Sequence, residues 1–386
     1  MPVLPDIAAY ADEMIQWRRH IHTNPELDLD CHETAAFVCE RLREFGITEI
    51  YTGIATSGVV AVIPGNGDGP VTGLRADMDA LPILENSDLP WQSKNEGIAH
   101  SCGHDGHTTM LLGAAKYLAS TRNFTGQVVL LFQPAEEDSG GGRIMVEEGV
   151  MSRFGIERVF ALHTWPNIPK GIFQTRPGPM LGAIDDFEIV VTGKGGHAAF
   201  HDTVIDPFQP AMMIGQALNS IVARNMPTST QVTVSLTCFN GGNATNVIPD
   251  SVRLAGTIRC LQPEMQVMVR ERIKEIAHGQ AQAFGASAEV NIVTYYPPVV
   301  NDDNQTSVAV GVASDIVGSD SVDTSVNPVL GAEDFAYMLR ERPGAFLFLG
   351  QGDGPGLHTS KFDFNDDVAP IGASFFAHMI ESTHKQ

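Results

Sequence analysis

Residues 100–107, HSCGHDGH, place three histidines, a cysteine and an aspartate in eight positions, and the chain then turns apolar in TTMLLGAAKYL. Such side chains can ligate a metal or support thiol redox chemistry, and they can also start a buried helix, with Asp105 near the free amides of its first turn. Other candidates are spread along the chain. VTGLRAD runs into Asp77 and Asp79, GQVVLLFQ into Glu136 and Glu137, RVFALHT delivers His163, and His358 follows GAFLFLG by eight residues. Each has an ordinary explanation taken singly: His163 as a satisfied core histidine, His358 as a solvated loop residue, the glutamates as a wet surface pair, CGHDGH as a helix start. One sheet that gathers all of them makes the metal reading the economical one.

Such a sheet is legible in the pattern. Residues 6–22 and 32–45 read as amphipathic helices, the second ending at Gly46, and SGVVAVIPG and VTGLRAD read as strands. TMLLGAAKYLA is helical, GQVVLLFQ an apolar strand, GGRIMVEEGV helical and IERVFALHT another apolar strand. Apolar strands separated by helices predict an α/β domain around a mostly parallel sheet covered on both faces. Ligands of such sheets bind beyond the carboxyl ends of the strands, where these candidates fall. From about residue 183 the order becomes β-α-β-β-α-β: AIDDFEIVVTG, a helix over 206–225, TQVTVSLTCFN, DSVRLAGTIRC, a helix over 263–284, and SAEVNIVTY. That order predicts an inserted ferredoxin-like domain over 183–296, interrupting a larger domain of 1–182 and 297–386. The larger domain resumes with a helix at 304–317, GAEDFAYMLRE, the strand GAFLFLG and a final helix from about 369.

Cys102, His104, Glu137, His163 and His358 are too many ligands for one tetrahedral ion that must also keep a water, so two ions are expected. A thiolate or a water-derived hydroxide can bridge them. Thiolate and imidazole together suit zinc or another late transition metal. Cys102 has no CxxC partner, which counts against a dithiol redox role. Successive residues of an extended chain point to opposite sides, so one glutamate of the 136/137 pair can bind metal while the other acts as general base. Spacing leaves open which does which.

RADMDALP, HSCGHDGHTTMLLGAA, FQPAEE, ALHTWP, GKGGHAA, NVIPD, GAEDFA and LHTSKFDF occur in the order and spacing of the metal-dependent aminoacylases. From RRHIHTNPEL onward the chain resembles that family, which includes hippurate hydrolases and plant auxin-conjugate amidohydrolases within the M20 metallopeptidases. The resemblance implies a catalytic α/β domain interrupted by a mobile lid, and hydrolysis of N-acyl amino acids to a carboxylic acid and a free amino acid. It implies two divalent ions, zinc first and manganese, cobalt or nickel as alternatives, held by Cys102, His104, Glu137, His163 and His358, with Glu136 as catalytic base. Asp79 matches the acid behind the site, and Asp77 stands where more distant relatives place a ligand histidine. His197 matches a lid histidine that polarises the scissile carbonyl, often from the other subunit, so a homodimer or homotetramer is expected. Asn246 and Arg259 match substrate-facing lid positions, where a structural role fits equally well. Glu333 and Asp334 are expected behind the site, although a carboxylate at a helix start explains them nearly as well. One departure stands out: the family's HAAxPH reads HAAFHD here, with His201 in place of proline and Asp202 in place of histidine.

Composition bounds the alternatives. The 386 residues carry 46 acidic and 24 basic side chains, a formal charge of −22, which opposes nucleic-acid and anionic-membrane binding. MPVLPDIAAYADEMIQWRRH lacks the basic start and apolar run of a signal peptide, and no stretch reaches 18 apolar residues, so a cytoplasmic protein is expected. Cys31, Cys39, Cys102, Cys238 and Cys260 are odd in number and scattered, as reduced thiols are. Three further readings stay open: a dipeptidase or carboxypeptidase of the same chemistry, a catalytically silent metal-binding protein, and a redox role for Cys102.

Overall fold

The computed structural model describes residues 3–385. Its contacts divide the chain into one unit of Met1–Met180, Val300–Asn327 and Asp334–Gln386, and a second of Leu181–Val299 with Pro328–Glu333. The short segment joins the second unit through a bridge between Leu181 and Val329 and a 2.7 Å hydrogen bond from the Gly182 amide to the Gly331 carbonyl.

The first unit is built on an eight-stranded sheet in the order Glu49–Ile54, Gly58–Pro64, Gln127–Gln133, Val71–Asp77, Arg158–Trp165, Gly344–Gly350, Phe173–Gln174, Val322–Asp323. Strands 127–133, 71–77, 158–165 and 344–350 are mutually parallel neighbours, and the antiparallel pairs lie outside them. These four strands are buried along almost their whole length because helices cover the sheet, so their sequences read as apolar runs rather than alternations. Parallel pairing puts all four carboxyl ends on one edge, with Asp77 level with Gln133 and Trp165 level with Gly350. The chain leaves strand 71–77 at that edge and returns in helix His104–Thr121, whose first turn hangs from it: the Thr108 hydroxyl donates to the Asp77 carbonyl at 2.7 Å. Met110, Leu111, Ala114 and Leu118 of this helix, with Phe375, Phe376 and Met379 of helix Ala369–Thr383, share one core with Val59, Leu74, Phe132 and Leu162 of the sheet.

The second unit is a four-stranded antiparallel sheet in the order Val232–Asn240, Ser251–Cys260, Ala183–Thr192, Ser287–Tyr296, with helices Phe208–Ser220 and Pro263–Ala283. This is the β-α-β-β-α-β arrangement expected from the pattern, and its strands alternate because only one face packs on helices. A separate ribbon pairs Gly196–His197 with Val247–Ile248.

The elements depart from the pattern reading in four places. Residues 6–22 are two helices, Pro5–Ala9 and Ala11–Thr23, broken at Tyr10, whose hydroxyl reaches the Gly113 carbonyl at 2.9 Å. Residues 141–150 are interrupted at Gly149, which takes a left-handed φ of 80°. Strand Glu49–Ile54 was not foreseen, being mostly exposed at the sheet edge and poor in apolar signal. Helix 104–121 begins at His104 rather than near Thr108, because its polar first turn is buried and paired instead of solvated.

Candidate metal centre

Gly103 precedes helix 104–121 at φ 93°, a left-handed conformation, and a side chain there would press on the Thr164 hydroxyl. This turn sets Cys102 and His104 against the carboxyl ends of strands 71–77 and 158–165. The Cys102 sulfur lies 3.4 Å from His163 Nε2, and His104 Nε2 lies 3.8 Å from Glu137 Oε1. His358 arrives on a loop that its own amide ties to the Ser101 carbonyl at 2.8 Å, and its Nε2 stands 3.2 Å from Glu137 Oε1. Three overlapping groups, Cys102/His104/His163, Cys102/Glu137/His358 and His104/Glu136/Glu137, each bring their donor atoms within 4.8 Å of one another. The five expected ligands and Glu136 are thus one contiguous cluster.

The donor spacing and tautomers suit a cation. With Zn–N near 2.0 Å and Zn–S near 2.3 Å, donors of a tetrahedral site stand about 3.3–3.6 Å apart. His104 presents Nδ1 to Asp79 Oδ1 at 3.2 Å, and His163 presents Nδ1 to the Thr164 carbonyl at 2.7 Å. Both rings therefore turn Nε2 toward the cluster, the orientation that partners behind a ligating histidine enforce. His104 Nε2 is buried without a hydrogen-bond partner, a costly state that a cation beside it would relieve.

Electrostatics point the same way. Burial opposes charge on His104, yet Asp77, Asp79 and Glu137 outweigh it and raise its pKa to about 10, a sign of negative charge in want of a counterion. Burial, reinforced by Glu137, Glu136 and Asp77, pushes the Cys102 thiol well above its usual range, so a neighbouring cation is what would make it a thiolate. Asp77 stays ionised despite full burial because His104, Arg75 and His107 surround it.

Asp79 joins two of the expected ligands: Oδ1 meets His104, and Oδ2 accepts the Glu137 amide at 3.0 Å. Asp77 lies 3.7 Å from His104 Nε2 but is already engaged by Arg75 Nη1 at 2.8 Å and His107 Nδ1 at 2.6 Å. Arg75 continues to Asp334 at 3.0 Å, and Asp334 in turn accepts the Gly142 amide at 2.6 Å. Its neighbour Glu333 is buried at the end of the segment that belongs to the second unit. The two glutamates do not sit in an extended chain as expected: Ala135 takes φ 57° and residues 136–139 form a turn, so their division of labour does not follow from strand alternation.

His197, Asn246 and Arg259 belong to the second unit. His197 and Asn246 are exposed and adjoin through the Ala198 amide, which donates to the Asn246 carbonyl at 3.1 Å. Arg259 is half-buried on the four-stranded sheet, apart from the ribbon. His201 and Asp202 are exposed in a short helical turn.

Of the four buried histidines with no expected role, His22, His100, His107 and His384, two brace the first turn of helix 104–121. His107 Nδ1 meets Asp77, while its Nε2 accepts the Thr164 amide at 2.9 Å, so the ring bridges strand 71–77 to the residue after His163. A helix starting at His104 would have revealed it, since His107 lies three residues on and shares its face. His22 pairs Nδ1 with Asp105 at 2.7 Å and Nε2 with Glu85 at 3.2 Å. Asp105 is therefore occupied by His22 and by its neighbour's amide, and does not cap the helix. No local signal marks His22, because its partners come from 63 and 83 residues away.

Water activated at such a cluster, with a carboxylate beside it to move protons, does hydrolysis, and the chain is a metal-dependent amidohydrolase. The family description Peptidase family M20/M25/M40 matches residues 73–382, and the chain belongs to that family. It is 39% identical over 378 residues to a hippurate hydrolase of Campylobacter jejuni, covering 98% of both chains. It is also 39% identical to thermostable carboxypeptidase 2 of Saccharolobus solfataricus, over 95% of this chain and 94% of the other. Among solved structures, a dinuclear metal binding peptidase of the M20 family from Bacillus subtilis matches with a TM-score of 0.87 and 33% identity, over 98% of this chain and 99% of that one.

Proposed function

We propose that this enzyme hydrolyses the amide bond of N-acyl amino acids, releasing a carboxylic acid and a free amino acid. The observation that carries the reading is the cluster of Cys102, His104, Glu137, His163 and His358, within which His104 Nε2 is buried with no partner of its own. Cys102, His104, Glu137, His163 and His358 would hold two divalent ions, zinc by donor chemistry, with manganese, cobalt or nickel as substitutes. Bound there, the ions would supply a Lewis acid and a water acidic enough to attack at neutral pH. Glu136 takes the proton of the attacking water and returns it to the leaving amine nitrogen. Glu137 fits the ligand role better than Glu136, since its carboxylate oxygen groups with Cys102, His104 and His358. Asp79 holds His104 and Glu137 in register.

His197 would polarise the scissile carbonyl: its Nδ1 accepts the Ala199 amide at 3.1 Å, so the ring proton sits on Nε2 as a free donor. In this proposal residues 183–296 act as a lid, Asn246 and Arg259 contact substrate from it, and Asp77 and Glu333 support the site from behind. The enzyme works as a cytoplasmic homodimer or homotetramer.

The carboxypeptidase relative favours one second reading, cleavage of peptides with a free amine. A panel of N-acetyl and N-benzoyl amino acids against free-amine dipeptides separates the two, run with Zn, Mn, Co and Ni in parallel. We expect turnover of the N-acyl series and its loss on chelation. Full activity after thorough chelation overturns the metal mechanism, and turnover confined to dipeptides overturns the substrate assignment.

A further inference from the structure

The ribbon that carries His197 also carries apolar surface that the second unit does not use. Phe200 is 61% exposed, and Val247, directly opposite His197 in the register, is 51% exposed. The Phe200 and His197 rings face each other with centroids 5.1 Å apart at 47°. The turn is fixed by the Phe200 amide donating to the His197 carbonyl at 2.9 Å and by the Ala199 amide on the imidazole. A large apolar ring is thus held in place by a tied backbone directly beside the imidazole donor.

We propose that Phe200, with Val247, forms the subsite for the acyl group and makes the enzyme selective for apolar, above all aromatic, acyl substituents. The proposal rests on the N-acyl amino acid reading above. If the His197 Nε2 proton meets the carbonyl oxygen, the acyl substituent is bonded to that same carbonyl carbon and lies within a ring's reach of Phe200. The leaving amino acid is the poorer occupant, because its carboxylate would be desolvated against apolar surface. Centroid separations of 4.5–7 Å are where aromatic rings pack best, so a benzoyl ring extends the His197–Phe200 pair as a third member. An acetyl group has only a methyl to offer.

The test compares N-benzoylglycine with N-acetylglycine, using the full chain loaded with the metal that gives the highest wild-type turnover. The readout is the benzoyl-to-acetyl ratio of kcat/KM, which a uniform loss of active protein does not move. We expect Phe200→Ala to lower that ratio about two- to tenfold, the range of a lost aromatic contact, and Phe200→Leu to lower it less. Circular dichroism and gel filtration should show both variants folded and in the wild-type oligomeric state. An unchanged ratio in both variants, or a change of oligomeric state that accounts for the loss, overturns the subsite. A wild-type enzyme that cleaves neither N-acyl substrate but cleaves free-amine dipeptides overturns the reading beneath it, a result the variants cannot mimic.

Discussion

The cluster at the sheet edge and the ribbon around His197 solve opposite problems. At the sheet edge most groups are buried and held by a second, His104 by Asp79, His163 by the Thr164 carbonyl, Asp77 by Arg75 and His107, and part-buried Glu137 through its amide by Asp79, while His358 is exposed. On the ribbon His197 is exposed, with one backbone amide on its ring and an exposed aromatic beside it. Charged donors that must converge on a cation need rigid, dry surroundings, since the geometry tolerates little play and burial strengthens each attraction. A group that meets substrate after it binds can wait in solvent.

The sharpest way to break this contrast is Glu136→Gln, which keeps shape and removes the base. We expect turnover to fall by about 10²–10⁴, with metal content by elemental analysis unchanged; a variant that lost its metal instead would make Glu136 a ligand. His197→Ala should lower kcat by about 10²–10³, the value of one donor on a developing oxyanion, again without loss of metal. Because the ring is exposed, its thermal stability should match the wild type; a marked fall in Tm would show a structural histidine instead. The smallest effect is on the pH dependence of stability. Burial opposes charge on His22, but Asp105 and Glu85 raise its pKa to about 9 from 6.5, so folding takes up a proton between those values. The stabilisation is complete below pH 6.5 and is lost as the pH rises through 9, at most about 3 kcal/mol. Thermal melts over this window should show a decline that His22→Gln makes shallower, and equal slopes in the two proteins would remove His22 as a source.

The strands that form the site were legible because buried parallel strands have apolar runs with abrupt polar ends, and those ends carried Asp77, Glu136, Glu137 and His163. Strand Glu49–Ile54 escaped notice because it is mostly exposed at the sheet edge. HDGHTT looks solvated when read locally, whereas in the fold its polar groups find partners in His22 and in Asp77 and Asp79 at a strand end, so the helix starts at His104. Alternation of Glu136 and Glu137 requires an extended chain, and the positive φ of Ala135 is a conformation that alanine does not announce.

The sequence alone thus determined which residue types reach the sheet edge, since periodicity and chain order are local properties and a parallel sheet turns chain order into a shared edge. It also determined the β-α-β-β-α-β second unit, whose alternation and helix periods are strong. Only the tertiary structure decided which ring nitrogens are free, which carboxylates are already engaged and which polar atoms are left without partners. Many of those properties depend on hydrogen bonds between residues tens to hundreds of positions apart, such as Arg75 with Asp334 and His104 with Asp79, and no local pattern encodes these.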